Sequence, residues 1–435
     1  MKSILNSIME LLGWITHGVK MALFRPQPLP IATSLLFFFL GTGMLAAQPL
    51  DSLLMLVRGK NPALRAGNFY YESLQQREIQ ALQWPEPEFS LGFIAFPFPN
   101  RSFMPSATFG VMQPVPWKGV LEDKAGIART EAKVALEDIE MERLELFFSL
   151  KEAYWQFYAL EQNILVFSEN LNLLGSLEKL AQSNLELGQA SLEEVLAVKM
   201  RVLDLNRQLQ QAENAKRGPQ AVINQILDRP VNTTIVLTDP PTNLAPLPFN
   251  DMLWDTIIEQ FPGTAALEHE IQASRLKQSL NRTESRPSIA AGLDYVLMNT
   301  GEGIHATDGR DMLMPRISVR LPIFRQTYFS RDEEERLRQA ALSDQQKSTA
   351  NMLLAAVEQA RTEWEDAQIQ YQLVKAQIPL IESALRLAET GLATGKTSLD
   401  KSLQLYEQLL SARLKEIQAI SKSYIAVAAI EKWIK

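Results

Sequence analysis

The sequence predicts an α+β membrane protein in which one unit, two strands followed by a long coiled-coil helical hairpin, is written twice. Three observations carry that class. The chain resembles itself at an offset of 200 to 208 positions. Each copy holds two short segments of period two, the spacing of a half-exposed strand. Each copy then runs into a long stretch with apolar residues at steps of three and four, the seam of a coiled coil.

Taken in order, the chain opens with Lys20 and Arg25, an apolar run IATSLLFFFLGTGMLAA over 31–47, and a polar start at Gln48. A basic flank, a short apolar core and small residues form the secretory pattern, so 1–47 is expected to be a Sec-type signal peptide cleaved after Ala47. An uncleaved anchor is the alternative, and Met21 competes with Met1 as the start. Removing 1–47 takes away Lys2, Lys20, Arg25 and Glu10, and the net charge moves from −7 to −9. That acidity argues against a nucleic-acid partner. The chain has no cysteine, which removes disulfides, thiolate metal sites and an acylated lipoprotein terminus. Three scattered histidines, His17, His269 and His305, make no metal set, and no phosphate loop or nucleophile motif is present. No enzyme activity and no cofactor are expected.

The repeat runs over 48–228 and 251–435, joined by a Pro-rich linker over 229–250. Asn61-Pro62 and Phe261-Pro262 open a helix-like stretch in each copy, and Trp84-Pro85-Glu86-Pro87 and Arg286-Pro287 close them, both pairs of prolines (62 with 262, 87 with 287) at an offset of 200. Strands follow at about 88–96 and 106–114, and at about 288–298 and 314–322. In the second copy Ile289, Ala291, Leu293 and Tyr295 alternate with Ser288, Ala290, Gly292 and Asp294, and Ile317 and Val319 alternate with Arg316, Ser318 and Arg320. One face is apolar; Asp294, Arg316 and Arg320 on the other suit a wet lumen. A soluble half-buried sheet gives the same alternation.

Helical hairpins are expected over 118–227 and 325–434. Ala125, Ala128, Ala132, Ala135 and Ile139 recur at helical steps, and Ala153, Phe157, Leu160, Ile164, Phe167, Leu171 and Leu174 resume the seam. A helix over 120–186 would be about 100 Å long at 1.5 Å per residue. The run is interrupted in the same way in both copies: LELGQASLEEVL at 185–196 returns as LATGKTSLDKSL at 392–403. Gly188 and Gly395 are expected to end one helix in the left-handed conformation, and Ser191 and Ser398 to cap the next. Glu194 completes a capping box in the first copy; Lys401 stands at that place in the second, so only the cap is expected there. Each interruption is read as a hairpin tip, with a mid-helix kink as the alternative.

Two strands per copy cannot close a barrel, and open sheet edges are not tolerated in hydrocarbon. Membrane strands must therefore be pooled by several chains; three would give twelve strands, continued by six hairpins as a tube.

The duplication, the Asn61-Pro62 start, the strand-to-helix junctions QPVPW (113–117) and LPIF (321–324), and the two Gly-x-x-Ser tips together resemble the TolC-like family of outer-membrane efflux and secretion channels. The resemblance covers nearly the whole mature chain. It implies a homotrimer in the outer-membrane lipid, with a twelve-stranded β-barrel continued by an α-helical barrel that spans the periplasm. It also implies a periplasmic adaptor (membrane fusion) protein and an inner-membrane pump, with a lean towards the RND type. Gly188, Ser191, Leu192, Gly395, Ser398 and Leu399 match the family's adaptor-facing tips. Some relatives narrow the periplasmic entrance with aspartates at the positions that are Lys401 and Gln404 here, so Glu193, Glu194 and Asp400 are the candidate carboxylates in their place. Pro114, Trp117, Pro322 and Phe324 match the junctions. The implied function is a passive exit channel for small toxic compounds or metal ions. The alternatives are a channel for type I protein secretion and a soluble periplasmic coiled-coil adaptor or scaffold.

Overall fold

Four strands form one antiparallel sheet in the order β1-β2-β3-β4, and a helix enters or leaves every strand at the same end. The computed structural model describes residues 50–93, 105–188, 190–237, 241–247, 258, 260–298, 311–393 and 398–433. All of them belong to the unit Ala47–Lys435. The segment read as a signal peptide, the second-copy glycine Gly395, and His17 and His305 lie outside the described residues.

The elements are α1 (Leu50–Lys60), α2 (Pro62–Ala81), β1 (Glu88–Phe93), β2 (Pro105–Val115), α3 (Val120–Glu186), α4 (Leu192–Ala215) and α5 (Arg217–Ile226) in the first copy. The second copy holds α6 (Pro262–Glu284), β3 (Ser288–Met298), β4 (Met312–Arg320), α7 (Gln326–Ala393) and α8 (Leu399–Glu431). Below the sheet the helices pack side by side in the order α2-α3-α6-α7, so each strand is continued by its own helix. Farther down, α4 folds back on α3 and α8 folds back on α7, while α8 also packs on α3. The two interruptions are therefore reversals of direction, not kinks.

Ion pairs zip the upper helices across their seams. Arg129 of α3 reaches Glu78 of α2 at 2.5 Å, Lys277 of α6 reaches Glu131 of α3 at 3.0 Å, and Arg282 of α6 reaches Asp332 of α7 at 3.5 Å. These are surface pairs worth only tenths of a kcal/mol each, so they set register more than stability. The small seam residues Ala125, Ala128, Ala132 and Ala135 are all buried, which lets α3 lie close against its neighbours.

The main core gathers α1, the middle of α3, α5 and the C-terminal half of α8 around Leu53, Val57, Leu150, Phe157, Ile223 and Ile420. Trp155 of α3 stacks on Tyr424 of α8 with centroids 4.0 Å apart. The linker is stapled to this core by side chains from both copies. Tyr158 donates to the Pro241 carbonyl (3.0 Å), Tyr371 to the Thr242 carbonyl (3.1 Å), and Trp364 to the Ala245 carbonyl (2.9 Å). Burial, aided by Tyr424 and Glu416, pushes the Tyr158 hydroxyl up to about 12, which keeps it a donor at any physiological pH.

Several boundaries differ from the sequence reading for local reasons. The last strand occupies 312–320 rather than 314–322, because Met312 pairs with Val296 and the ladder ends at Arg320 opposite Ser288, before Pro322. Pro315 stands within β4, opposite Leu293 of β3. The first strand is described only to Phe93; 94–96 lie outside the described residues. The returning helix of the first hairpin stops at Ala215 and resumes as α5, since Pro219 lacks an N–H and its ring crowds the carbonyl four residues back.

Asn61 shows how the repeat closes on itself. Its Oδ1 accepts from the Ala63 and Leu64 amides at the start of α2, and its buried Nδ2 donates to the Ile226 carbonyl at the end of α5 (2.9 Å). The second copy makes the same closure with ring contacts instead, Phe261 lying edge-on to Trp433 at 5.6 Å. Asn61→Ala is expected to lose a cap and strand a buried carbonyl, costing ~2–3 kcal/mol. Asn61→Asp keeps the cap acceptor and should lose only part of this. Urea unfolding in detergent, followed by tryptophan fluorescence, reads the difference; equal midpoints for Asn61→Ala and wild type would contradict the assignment.

Candidate functional site

Three regions carry the residues singled out from the sequence: the two faces of the sheet, the sheet-to-helix junctions, and the hairpin tips.

The ladder pairs Gly110 with Asp294 and Asp294 with Met314, and Gly292 with both Met112 and Arg316. Even-numbered positions of all four strands therefore share one face. Asp294 is almost wholly buried there and meets Arg316 at 3.3 Å, with the second carboxylate oxygen left without a hydrogen bond among the described residues. Arg320 lies on the same face by register, opposite Ser288. The other face exposes Phe89, Leu91, Phe93, Phe109, Val111, Ile289, Leu293, Tyr295, Leu313, Ile317 and Val319. A continuous apolar sheet face open to solvent has no place on a soluble monomer.

At the junctions, Trp117 donates from Nε1 to the Pro287 carbonyl (2.8 Å), and Gln113 donates to the Pro85 carbonyl (2.8 Å). These bonds tie β2 to the starts of β3 and β1. Pro114 stays within β2 opposite Ala290. Pro322 and Phe324 follow β4, and Phe324 is 85% exposed.

At the first tip, Gly188 has φ 72°, in the left-handed region, and the Ala190 amide donates back to the Asn184 carbonyl (3.2 Å). Ser191 then caps α4: its Oγ accepts from the Glu194 amide (3.2 Å), and the Glu194 carboxylate accepts from the Ser191 amide (3.1 Å). The capping box read from the sequence is present. It occupies Glu194, while Glu186 and Glu193 are exposed carboxylates with no ion pair or side-chain hydrogen bond among the described residues.

At the second tip, Ser398 holds the cap position with extended backbone, but its side chain makes no capping bond. Lys401 offers no acceptor in return, so nothing fixes the hydroxyl. Asp400 pairs along its own helix with Gln404 (3.1 Å). The paired leucines diverge: Leu192 is exposed, whereas Leu399 is buried with Val195, Val198 and Leu403 in a core shared by the two tips. Ser191→Ala should cost ~1 kcal/mol of local stability and Ser398→Ala close to nothing. Amide exchange over the first turns of α4 and α8 distinguishes the two, and equal acceleration would contradict the geometry.

One feature of the tip region was missed in the sequence. Arg201 of α4 meets Glu407 of α8 at 2.6 Å and bridges the first hairpin to the second. The pair borders a groove of about 660 Å³ between α3, α4 and α8 that also takes in Asn163, Asp204, Tyr406 and Lys415. Hydrogen bonds from Arg207 and Gln208 hold the Asp204 carboxyl below its ordinary range. Only a helical-wheel match between two segments some 200 residues apart would have placed Arg201 against Glu407.

This wall of four strands continued by four helices, apolar on one sheet face and polar on the other, is the fold of TolC-like outer-membrane channels. The outer-membrane channel OprN matches with a TM-score of 0.75 at 15% identity, over 88% of this chain and 89% of that one. The open state of the MtrE outer membrane channel of Neisseria gonorrhoeae matches at 0.71 and 16%, over 88% of each chain. The outer membrane protein VceC of Vibrio cholerae matches at 0.71 and 14%, over 88% of this chain and 95% of that one. At such identities the likeness is one of fold. In sequence, residues 253–434, almost the whole second copy, match the family model for outer membrane efflux proteins. No curated protein matches the chain.

Proposed function

We propose that the chain is the exit channel of a tripartite efflux system, set in the outer membrane as a homotrimer and carrying small toxic compounds or metal ions outward. The observation that carries this reading is the sheet. Its outward face is apolar and exposed, its other face holds Asp294, Arg316 and Arg320, and its edges β1 and β4 have no partner strand among the described residues. Edges left open in hydrocarbon cost several kcal/mol per unpaired group, so copies must join edge to edge. Three copies give a twelve-stranded barrel, with the polar face lining its lumen. The helices below then close into a tube across the periplasm.

In this reading 1–47 directs export, and the tips around Gly188–Leu196 and 395–403 meet a periplasmic adaptor attached to an inner-membrane pump of the RND type. Energy comes from the pump; the channel contributes a gate. Exposed Leu192 and Glu193 are the adaptor-facing groups of the first tip, and Asp400, Lys401 and Gln404 line the entrance.

The gate follows from the bridge between the hairpins. Opening requires them to part, and Arg201–Glu407 spans the seam. Arg201→Glu sets two carboxylates face to face and is expected to raise single-channel conductance in planar bilayers several-fold; adding Glu407→Arg should restore the closed level. Wild-type protein that inserts and yet gives no conductance steps would sink the channel reading. Steps that are indifferent to both substitutions would sink only the latch.

A further inference from the structure

We propose that the foot of the sheet holds a binding site for the headgroup of a phospholipid from the periplasmic leaflet, centred on Arg325. The proposal rests on the reading of the sheet as membrane-embedded, and it names a partner that reading does not supply.

The four connections between strands and helices lie together at one end of the sheet. They expose Trp84, Trp117, Ile323 and Phe324, the amphipathic and apolar groups that settle at a membrane interface. Among them stand Lys118, Arg286 and Arg325, exposed side chains with no ion pair or side-chain hydrogen bond to other described residues. On the upper helices Arg129 and Lys277 are paired across seams. Unpaired cations beside exposed rings fit an anionic surface.

A cleft of about 360 Å³ opens at this level, between the last turn of α6 and the first turns of α7. Arg325 lines it beside Arg282, which Asp332 holds at 3.5 Å. Asn281 lies at its base, nine-tenths buried; its Nδ2 donates to the Tyr328 carbonyl (2.8 Å), and its Oδ1 accepts no hydrogen bond among the described residues. Phe329 forms an exposed apolar wall. The cleft thus offers the unpaired Arg325 guanidinium for a phosphate and, within it, two buried acceptors that lack a hydrogen-bond donor among the described residues, Asn281 Oδ1 and the Asp332 Oδ1 that faces Arg282. A phospholipid whose headgroup itself donates, through glycerol hydroxyls or an ammonium, satisfies both. Its acyl chains would then run past Ile323 and Phe324 onto the apolar face of the sheet. The cleft begins within about two helical turns of the strands, roughly 10 Å at 1.5 Å per residue, which is the depth of a headgroup layer.

The test uses the full mature protein in detergent, with lipid retention read by native mass spectrometry. Phosphatidylglycerol and phosphatidylcholine of identical chains are compared, because the choline headgroup has no donor. Wild type is expected to retain phosphatidylglycerol about tenfold better, the worth of one hydrogen bond to an otherwise unsatisfied buried acceptor. Arg325→Gln, an exposed change that takes a guanidinium from the phosphate both lipids share, should lower retention of both about tenfold, and Lys199→Gln at the distant tip should leave it intact. Equal retention of the two lipids by wild type, or retention that Arg325→Gln leaves unchanged, would overturn the proposal. So would full displacement by inorganic phosphate at the same concentration, which would mark a small-anion site. A chain that is monomeric without detergent would instead remove the membrane reading beneath it.

Discussion

Gly292→Ala is expected to remove most of the assembled protein from the membrane fraction, although it adds a single methyl group. In β3, Gly292 lies between Met112 of β2 and Arg316 of β4. A Cβ built there would sit 2.3 Å from the Val111 carbonyl oxygen and 3.1 Å from the Met112 Cα. Both are backbone atoms, so no side-chain rotation relieves the clash. The strand that joins the two copies must then move away from its partner, and the ladder between them loosens at its centre. Forced backbone shifts of this kind cost ~3 kcal/mol, a large share of a marginal stability. Gly59→Ala is the matched control: it lies within α1 with nothing inside 4 Å of its Cβ, and is expected to be neutral or slightly stabilising. Yield of heat-labile oligomer in outer-membrane extracts reads both. Equal yields for Gly292→Ala and wild type would show that the strand pairing is wrong.

Phe157→Ala is expected to destabilise each chain at its main core. Phe157 is 2% exposed and lies in the core where α1, α3, α5 and α8 meet. Its ring also receives Lys216 Nζ at 5.4 Å from the centroid, while Lys216 pairs with Glu161 at 2.5 Å. Truncation leaves a cavity in the one place where both copies and the linker are fastened together. The cost should be ~3–5 kcal/mol, and Phe157→Leu should recover most of it. Tryptophan emission from the stacked Trp155 is a convenient probe of urea unfolding in detergent, since its environment is the affected core. A loss below about 1 kcal/mol, the level of an ordinary surface change, would contradict the placement of this core.

What could be read without coordinates was local. The reversal at Gly188–Glu194 needs one left-handed glycine and one serine–glutamate exchange, and all of its partners lie within a few residues. The two sheet faces follow from period two, so Asp294, Arg316 and Arg320 fall on one face by parity. The Asp294–Arg316 pair itself needed the strand register, which the sequence does not state. Long-range closures were hidden for the same reason. Asn61 was visible as an opening Asn-Pro, yet its partner Ile226 lies 165 residues away. Copying the first tip onto the second misled in two places. Leu399 faces the shared tip core whereas Leu192 faces solvent, and Ser398, expected to cap α8, makes no capping bond from its side chain. Pro379 is a further case where tertiary context wins. It stands inside α7, a helix that propensity would have ended there, and its neighbours hold the helix through.

The measurement that tests the central claim most directly is the mass of the detergent-extracted mature protein by light scattering, with bound detergent subtracted. The account predicts three chains per particle and a requirement for detergent, because only pooled strands leave no open edge in the membrane. A monodisperse monomer that stays in solution without detergent would contradict it.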